Sequence, residues 1–109
     1  MPEVPFKDFQ NLDIRVGRVI GVAEIENSKN LLKLQVDFGA EQRQAVAGLK
    51  NHYRPEELLG KDFVFILNLE RKKLMGFESQ CMILAADDGS GTISLLQPTK
   101  EIAPGSRVR

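Results

Sequence analysis

Tryptophan is absent from this chain of 109 residues, and tyrosine, histidine and cysteine occur once each. A single thiol, Cys81, cannot form an intrachain disulfide, so packing alone must hold the fold, as expected of a protein that works in the reducing cytoplasm. Spacings that bind metal are missing: there is no C-x-x-C and no H-x-x-x-H, and Asp87-Asp88-Gly89 lacks the later glutamate of a calcium loop. The segment Gly17-Arg18-Val19-Ile20-Gly21 matches neither the P-loop nor the dinucleotide fingerprint, so no phosphate-cradling loop and no cofactor is predicted. Nothing places Cys81 or Ser79 beside His52 as nucleophile and base, and no catalytic residue is assigned. The longest apolar runs, Phe63 to Leu67 and Met82 to Ala86, fall far short of the ~20 residues of a membrane-spanning helix. Residues 1–10 hold no apolar stretch behind a basic start, so no secretory signal is expected.

Surplus charge of either sign is missing too. Fifteen Lys and Arg balance fifteen Asp and Glu, so any polyanion must be met by a local patch rather than by a net field. The remaining composition, 42% hydrophobic and 28% charged residues, is that of a soluble globular protein, predicted to fold as one domain over residues 1–109.

What is present reads as a series of short strands. Phe6, Phe9 and Leu12 have helical spacing, which predicts a short helical segment within residues 1–12. From Asp13 to Ile25 the residues are mostly β-branched, and Gly17 and Gly21 interrupt them as bulges or bends would, predicting a long curled strand. Leu32, Leu34, Val36 and Phe38 alternate with Lys33, Gln35 and Asp37, the pattern of a strand with one wet face. Gln42 to Ala47 is a third strand. Pro55-Glu56-Glu57-Leu58-Leu59 then has the proline and acids of a helix start, and Gly60 supplies the stop. Phe63 to Leu67 is predicted as a fourth strand buried on both faces, Met82 to Ala86 as a fifth, and Thr92 to Leu96 as a sixth that forms a hairpin with it across Asp87–Gly91. Residues 97–109 form a C-terminal extension. Three strands, a helix and further strands are the order of a five-stranded Greek-key barrel of the OB type, an all-β fold.

The basic residues are less scattered than their balance suggests. Arg71-Lys72-Lys73 follows the fourth strand, in a predicted loop that rims the ligand face of such barrels. Lys33 points away from the core, Arg43 lies in the third strand, and Arg15 and Arg18 lie in the first, so separate elements can pool their cations on one wall. Clustered lysines and arginines bind phosphates by releasing condensed counterions, whatever the total charge. Asn68, Ser79, Gln80 and Met82 flank the tribasic run and can add hydrogen bonds and one soft apolar contact. Too few aromatics remain exposed to stack a single strand, which favours a folded RNA read by shape over unstructured RNA or DNA. Cys81, which precedes Met82-Ile83-Leu84, reads as a small buried hydrophobe.

Four stretches in order carry a resemblance: Asp13-Ile14-Arg15-Val16-Gly17-Arg18-Val19, Leu31 through Gly39, Pro55 through Lys61, and Asn68-Leu69 through Lys73-Leu74-Met75-Gly76 to Ser79-Gln80-Cys81-Met82. They resemble the tRNA-binding domain found at the C-terminus of many methionyl-tRNA synthetases, in related synthetase cofactors and as free-standing proteins. The resemblance implies an OB-type barrel and a structure-selective, non-catalytic grip on tRNA. It also implies association with a synthetase, methionyl above all, and a homodimer built through the N-terminal helix and the C-terminal extension. The matching residues are Lys33, Asn68, Lys72, Lys73, Ser79, Gln80 and Met82; Arg43 and Arg71 are added from the strand and charge reading. Two departures from the family pattern bear on affinity: Glu70-Arg71 stands where many members have lysine and proline, and the loop 26–30 lacks a His-Pro start. Some stand-alone relatives act on unfolded or exported proteins, so a dimeric peptide-binding chaperone is the second expectation.

Overall fold

Alternation along Leu32–Asp37 becomes the wall of a barrel. In this strand, β2, Leu32, Leu34 and Val36 are fully buried while Gln35 faces water. The computed structural model, which describes residues 1–109, surrounds this strand with β1 (Ile14–Glu24), β3 (Gln42–Ala47), β4 (Asp62–Ile66) and β7 (Met82–Ile83) in the order β3-β2-β1-β4-β7. All pairs are antiparallel, and β1 is long enough to pair with β4 through its first half and β2 through its second. Its register shifts between Val19 and Gly21, so Ile20 has no partner on β2 and is exposed; this bulge bends the strand from one side of the barrel to the other. The sheet nearly closes where Gln80 donates its backbone N–H to Gln44 O at 2.8 Å, just before β7. The all-β OB-type barrel expected from the sequence is therefore the fold.

Its centre is an edge-to-face pair, Phe38 and Phe65, with ring centroids 5.4 Å apart. Gly17 makes room for them, because a Cβ there would lie 2.6 Å from both Phe38 Cε1 and Val36 Cγ1. The glycine that breaks the first strand's pattern is thus fixed by close approach. Between β3 and β4, α2 (Pro55–Leu58) begins on a proline and buries Leu58 completely. At the N-terminus α1 (Phe6–Gln10) buries no residue. The tail from Gly105 to Val108 lies along the first half of β1, joined by Gly105 N–H to Val16 O at 2.7 Å, Val16 N–H to Ser106 O at 2.9 Å and Val108 N–H to Ile14 O at 2.8 Å.

Three expectations need correction. β4 is buried on one face only: Phe63 and Phe65 point inward, while Val64 and Ile66 are half-buried. The predicted fifth strand is two strands, since the chain leaves β4 after Leu84 and continues as β8 (Ala85–Asp87), which pairs with β9 (Ile93–Leu95) in a separate hairpin. Finally, the tribasic run is not a loop. Lys72 and Lys73 lie on β5 (Lys72–Leu74), which forms a hairpin with β6 (Phe77–Ser79).

Candidate nucleic-acid interface

The hairpin turns on two residues, Met75 at φ 52° and Gly76 at φ 84°. Two successive positive φ values are the geometry whose twist suits a tight hairpin. Its register sets Lys72 opposite Ser79, Lys73 opposite Glu78 and Leu74 opposite Phe77, so Lys72, Leu74, Phe77 and Ser79 share one face and Lys73 and Glu78 the other.

Side chains, not strand pairing, fasten this hairpin to the outer edge of β3. Val46 donates its backbone N–H to Ser79 Oγ at 3.0 Å, and Gln44 donates its own to Gln80 Oε1 at 3.0 Å. The Gln44 side-chain amide donates to Glu78 O at 2.9 Å, and Ser79 Oγ donates to Cys81 O at 3.0 Å. Arg43 Nη1 donates to Leu67 O at 2.7 Å and Gln80 O at 3.1 Å, the two points where the chain leaves the barrel and returns. One guanidinium thus holds both feet of the hairpin, while its remaining N–H groups pair with Glu41. Asn68 is similarly spent: Oδ1 accepts from Asp13 N and Nδ2 donates to Asn11 O, both at 2.7 Å, tying the end of β4 to the start of β1.

The cations therefore separate into two sets. Arg15 lies 2.7 Å from Asp13, Arg18 2.8 Å from Asp62 and Arg71 3.1 Å from Glu78, so each is neutralised by a neighbouring carboxylate. The Glu78 carboxyl is held below the usual glutamate range, first by the hydrogen bond from Gln80 and then by that from Arg71. Lys33, Lys72 and Lys73 enter none of the seven ion pairs. Lys33 reaches from β2 to the hairpin, with its ammonium 4.4 Å from the centroid of Phe77, a cation–π contact on the ring that shares a face with Lys72. Of the residues expected to meet RNA, Lys33 stands over Phe77, which shares a hairpin face with Lys72, Lys73 lies on the other face opposite Glu78, and Met82 is 49% exposed on the groove that Lys72 also lines. Arg43, Asn68, Ser79 and Gln80 have their polar atoms engaged within the protein. Arg15, Arg18, Arg43 and Arg71 likewise have carboxylate partners within the protein.

Between the hairpin, β3 and β7 lies a groove of about 580 Å³, walled by Val46, Ala47, Leu69, Leu74, Met82 and Ile83. Glu70 and Lys72 stand at its edge. Cys81 lines its floor but is buried, and burial pushes its thiol up to about 12, with Arg43 opposing; at neutral pH it is an inert, protonated group. The sequence reading assigned no role to Phe77, Leu69 or Leu74, and noted Glu70 only as a departure that bears on affinity. The signal was there: Lys72, Leu74, Phe77 and Ser79 keep period two on either side of an x-Gly pair.

A family profile described as "Putative tRNA binding domain" matches residues 14–107. The chain is 49% identical over 110 residues to the methionine–tRNA ligase of Methanosarcina mazei and 53% identical over 109 residues to that of Thermococcus kodakarensis. Both alignments cover 100% of this chain and 15% of the ligase, so the chain spans about 15% of the length of these relatives. Among solved structures, a MetRS-related protein from Pyrococcus horikoshii superimposes with a TM-score of 0.95 at 38% identity, covering 100% of both chains. The chaperone CsaA from Bacillus anthracis superimposes with a TM-score of 0.90 at 31% identity, covering 99% of this chain and 100% of that one.

Proposed function

The chain belongs to the tRNA-binding domain family related to methionyl-tRNA synthetases, and from that premise we propose that it is a structure-selective tRNA-recruiting module for an aminoacyl-tRNA synthetase, the methionyl enzyme first. It contributes binding and no chemistry; the reaction belongs to a catalytic part outside these residues. The observation that carries this reading is that Lys72 and Lys73 on the hairpin, and Lys33 packed against it, enter no ion pair on a chain whose total charge is zero. Each lysine that meets a phosphate releases counterion, and phosphate contacts position a partner without reading sequence. Met82 adds an apolar contact. Arg43, Asn68, Ser79 and Gln80, with Arg71 beside Glu78, act on RNA by holding this surface in shape.

Recruitment by tethering raises the local tRNA concentration without any new catalytic group. The place of action is the cytoplasm, and no helix is long and apolar enough to cross a membrane. Residues 1–12 and 97–109 serve as the contact between two copies of the chain. This is supported by Phe6 and Phe9, stacked with centroids 6.0 Å apart on a helix that buries nothing, and by Arg107 Nη2, which donates to Gln10 O at 3.3 Å and sets tail and helix side by side.

Fluorescence anisotropy with labelled bulk tRNA tests the reading: Lys72→Glu with Lys73→Glu weakens binding to all tRNAs alike, and unchanged affinity refutes the interface. The likeness to CsaA favours one second reading, a peptide-binding chaperone. Competition separates the two, since an unfolded polypeptide displaces bound tRNA only if the same surface serves both.

A further inference from the structure

Phosphate contacts at the lysines leave the neighbouring groove without a role, although at about 580 Å³ it is larger than the recesses of about 240 and 320 Å³ elsewhere on the molecule. Its size suits a small planar group. Leu69 and Met82 are 45% and 49% exposed on its walls, an apolar surface left in water. The rim carries opposite charges: Lys72, with no carboxylate partner, and Glu70, with no cation partner. An apolar slot with a cation at the edge favours an anionic ligand that has an apolar face. The carboxylate beside it repels a phosphate placed deep in the slot but accepts N–H donors.

We propose that this groove takes one unstacked base of the bound RNA, a guanine in preference to the other bases. The inference rests on the tRNA-binding reading and deepens it. The base lies against Leu69, Leu74 and the polarizable thioether of Met82, its own phosphate meets Lys72, and its adjacent N1–H and N2–H donors meet the Glu70 carboxylate. Guanine is the base with two neighbouring donors on its pairing edge, which a carboxylate accepts in a bidentate manner; uracil offers one and is the weakest match. Lysines alone then give affinity for any folded RNA, and the groove adds selection for RNAs that present an unpaired guanine.

Met82 lies on the groove wall, and its methyl carbon-13 resonance, assigned with Met82→Leu, reports on the groove in the unaltered chain. Bulk tRNA is expected to shift that resonance by the ring current of the docked base over the range in which it binds, whereas inorganic polyphosphate, which needs only the lysines, binds without shifting it. The methyl of Met1, exposed and outside the groove, should not respond to either. Binding of tRNA by anisotropy with no shift at Met82 overturns the base-docking inference and leaves the tRNA reading intact. Absence of tRNA binding to the unaltered chain overturns both. A shift caused by a carboxymethylated unfolded polypeptide but not by tRNA assigns the groove to peptides and overturns the inference. In a second measurement, Leu69→Ser with Met82→Ser weakens tRNA binding about tenfold with the salt dependence unchanged, because the lost contact is apolar. RNA hairpins carrying a single guanine in the loop bind about fivefold more tightly than those carrying uracil, and Glu70→Leu abolishes the difference. Equal affinities for the two loops in the unaltered chain overturn the guanine assignment.

Discussion

On the barrel, arginines of β1 and β3 face carboxylates: Arg15 meets Asp13, Arg18 meets Asp62 and Arg43 meets Glu41, at 2.7, 2.8 and 3.1 Å. On the hairpin, Lys72 and Lys73 stand exposed with Lys33 alongside, and the one arginine there, Arg71, is paired to Glu78. A formal charge of zero is thus an average over two populations of cation. Among the paired ones Arg15 and Arg43 also hold backbone carbonyls; the unpaired ones are not confined to the hairpin, since Lys7, Lys29, Lys61, Lys100, Arg107 and Arg109 enter no ion pair either. Net charge predicts non-specific attraction but says nothing about where opposite charges fail to meet. The energetic contrast is similar: the barrel's stability comes from buried apolar side chains, the hairpin's from side-chain hydrogen bonds to β3.

The contrast can be broken from the barrel side first. Phe65→Ala removes a fully buried ring from the centre of the core and should cost about 3–5 kcal/mol in urea unfolding, with tRNA affinity of the folded fraction retained. A loss under about 1 kcal/mol would mean that the core lies elsewhere. Arg43→Met sharpens the division between holding and binding. It strips partners from Leu67 O and Gln80 O and should cost about 1–3 kcal/mol. Its tRNA affinity should fall through misplacement of the hairpin while the salt dependence stays unchanged; a flattened salt dependence would show Arg43 to be a phosphate contact after all.

Acid makes the smallest change. The folded-state pKa of Glu78 is depressed by its bonds to Gln80 and Arg71, so its contribution to stability is fully present above the unfolded glutamate value and is lost as pH falls through the folded one. Below about pH 4, amide exchange in residues 72–79 should therefore speed up before that in β1 and β2. Uniform loss of protection across the barrel and hairpin would remove Glu78 as a local fastener.

Much of the barrel is legible in the sequence. Period-two alternation marks β2, its polar-faced neighbour β3 is bounded as predicted at Gln42 and Ala47, and Pro55 with Gly60 brackets α2. These features are local, and local patterns survive translation into structure. The hairpin was harder to see because its two-residue turn puts methionine at a positive φ, where asparagine, aspartate or glycine is the usual signal. Three consecutive basic residues then look like a solvated loop although two of them lie on a strand. The role of Arg43 was hidden for a different reason: its carbonyl partners lie 24 and 37 residues further along the chain, and no spacing rule connects them. Ser79 and Gln80 stand out by flanking the tribasic run and by resemblance, but only the fold reveals that their polar atoms bond to β3.

Salt dependence of tRNA affinity tests most directly whether a local surplus, and not total charge, makes the interface. Lys72→Glu with Lys73→Glu should reduce the slope of log affinity against log salt by about 1.8, the value for two lost phosphate contacts, while Arg54→Glu, a reversal at an exposed arginine outside the hairpin, leaves it unchanged. Equal slopes for the unaltered chain and the hairpin variant, or a slope that falls as much for Arg54→Glu, would contradict the account.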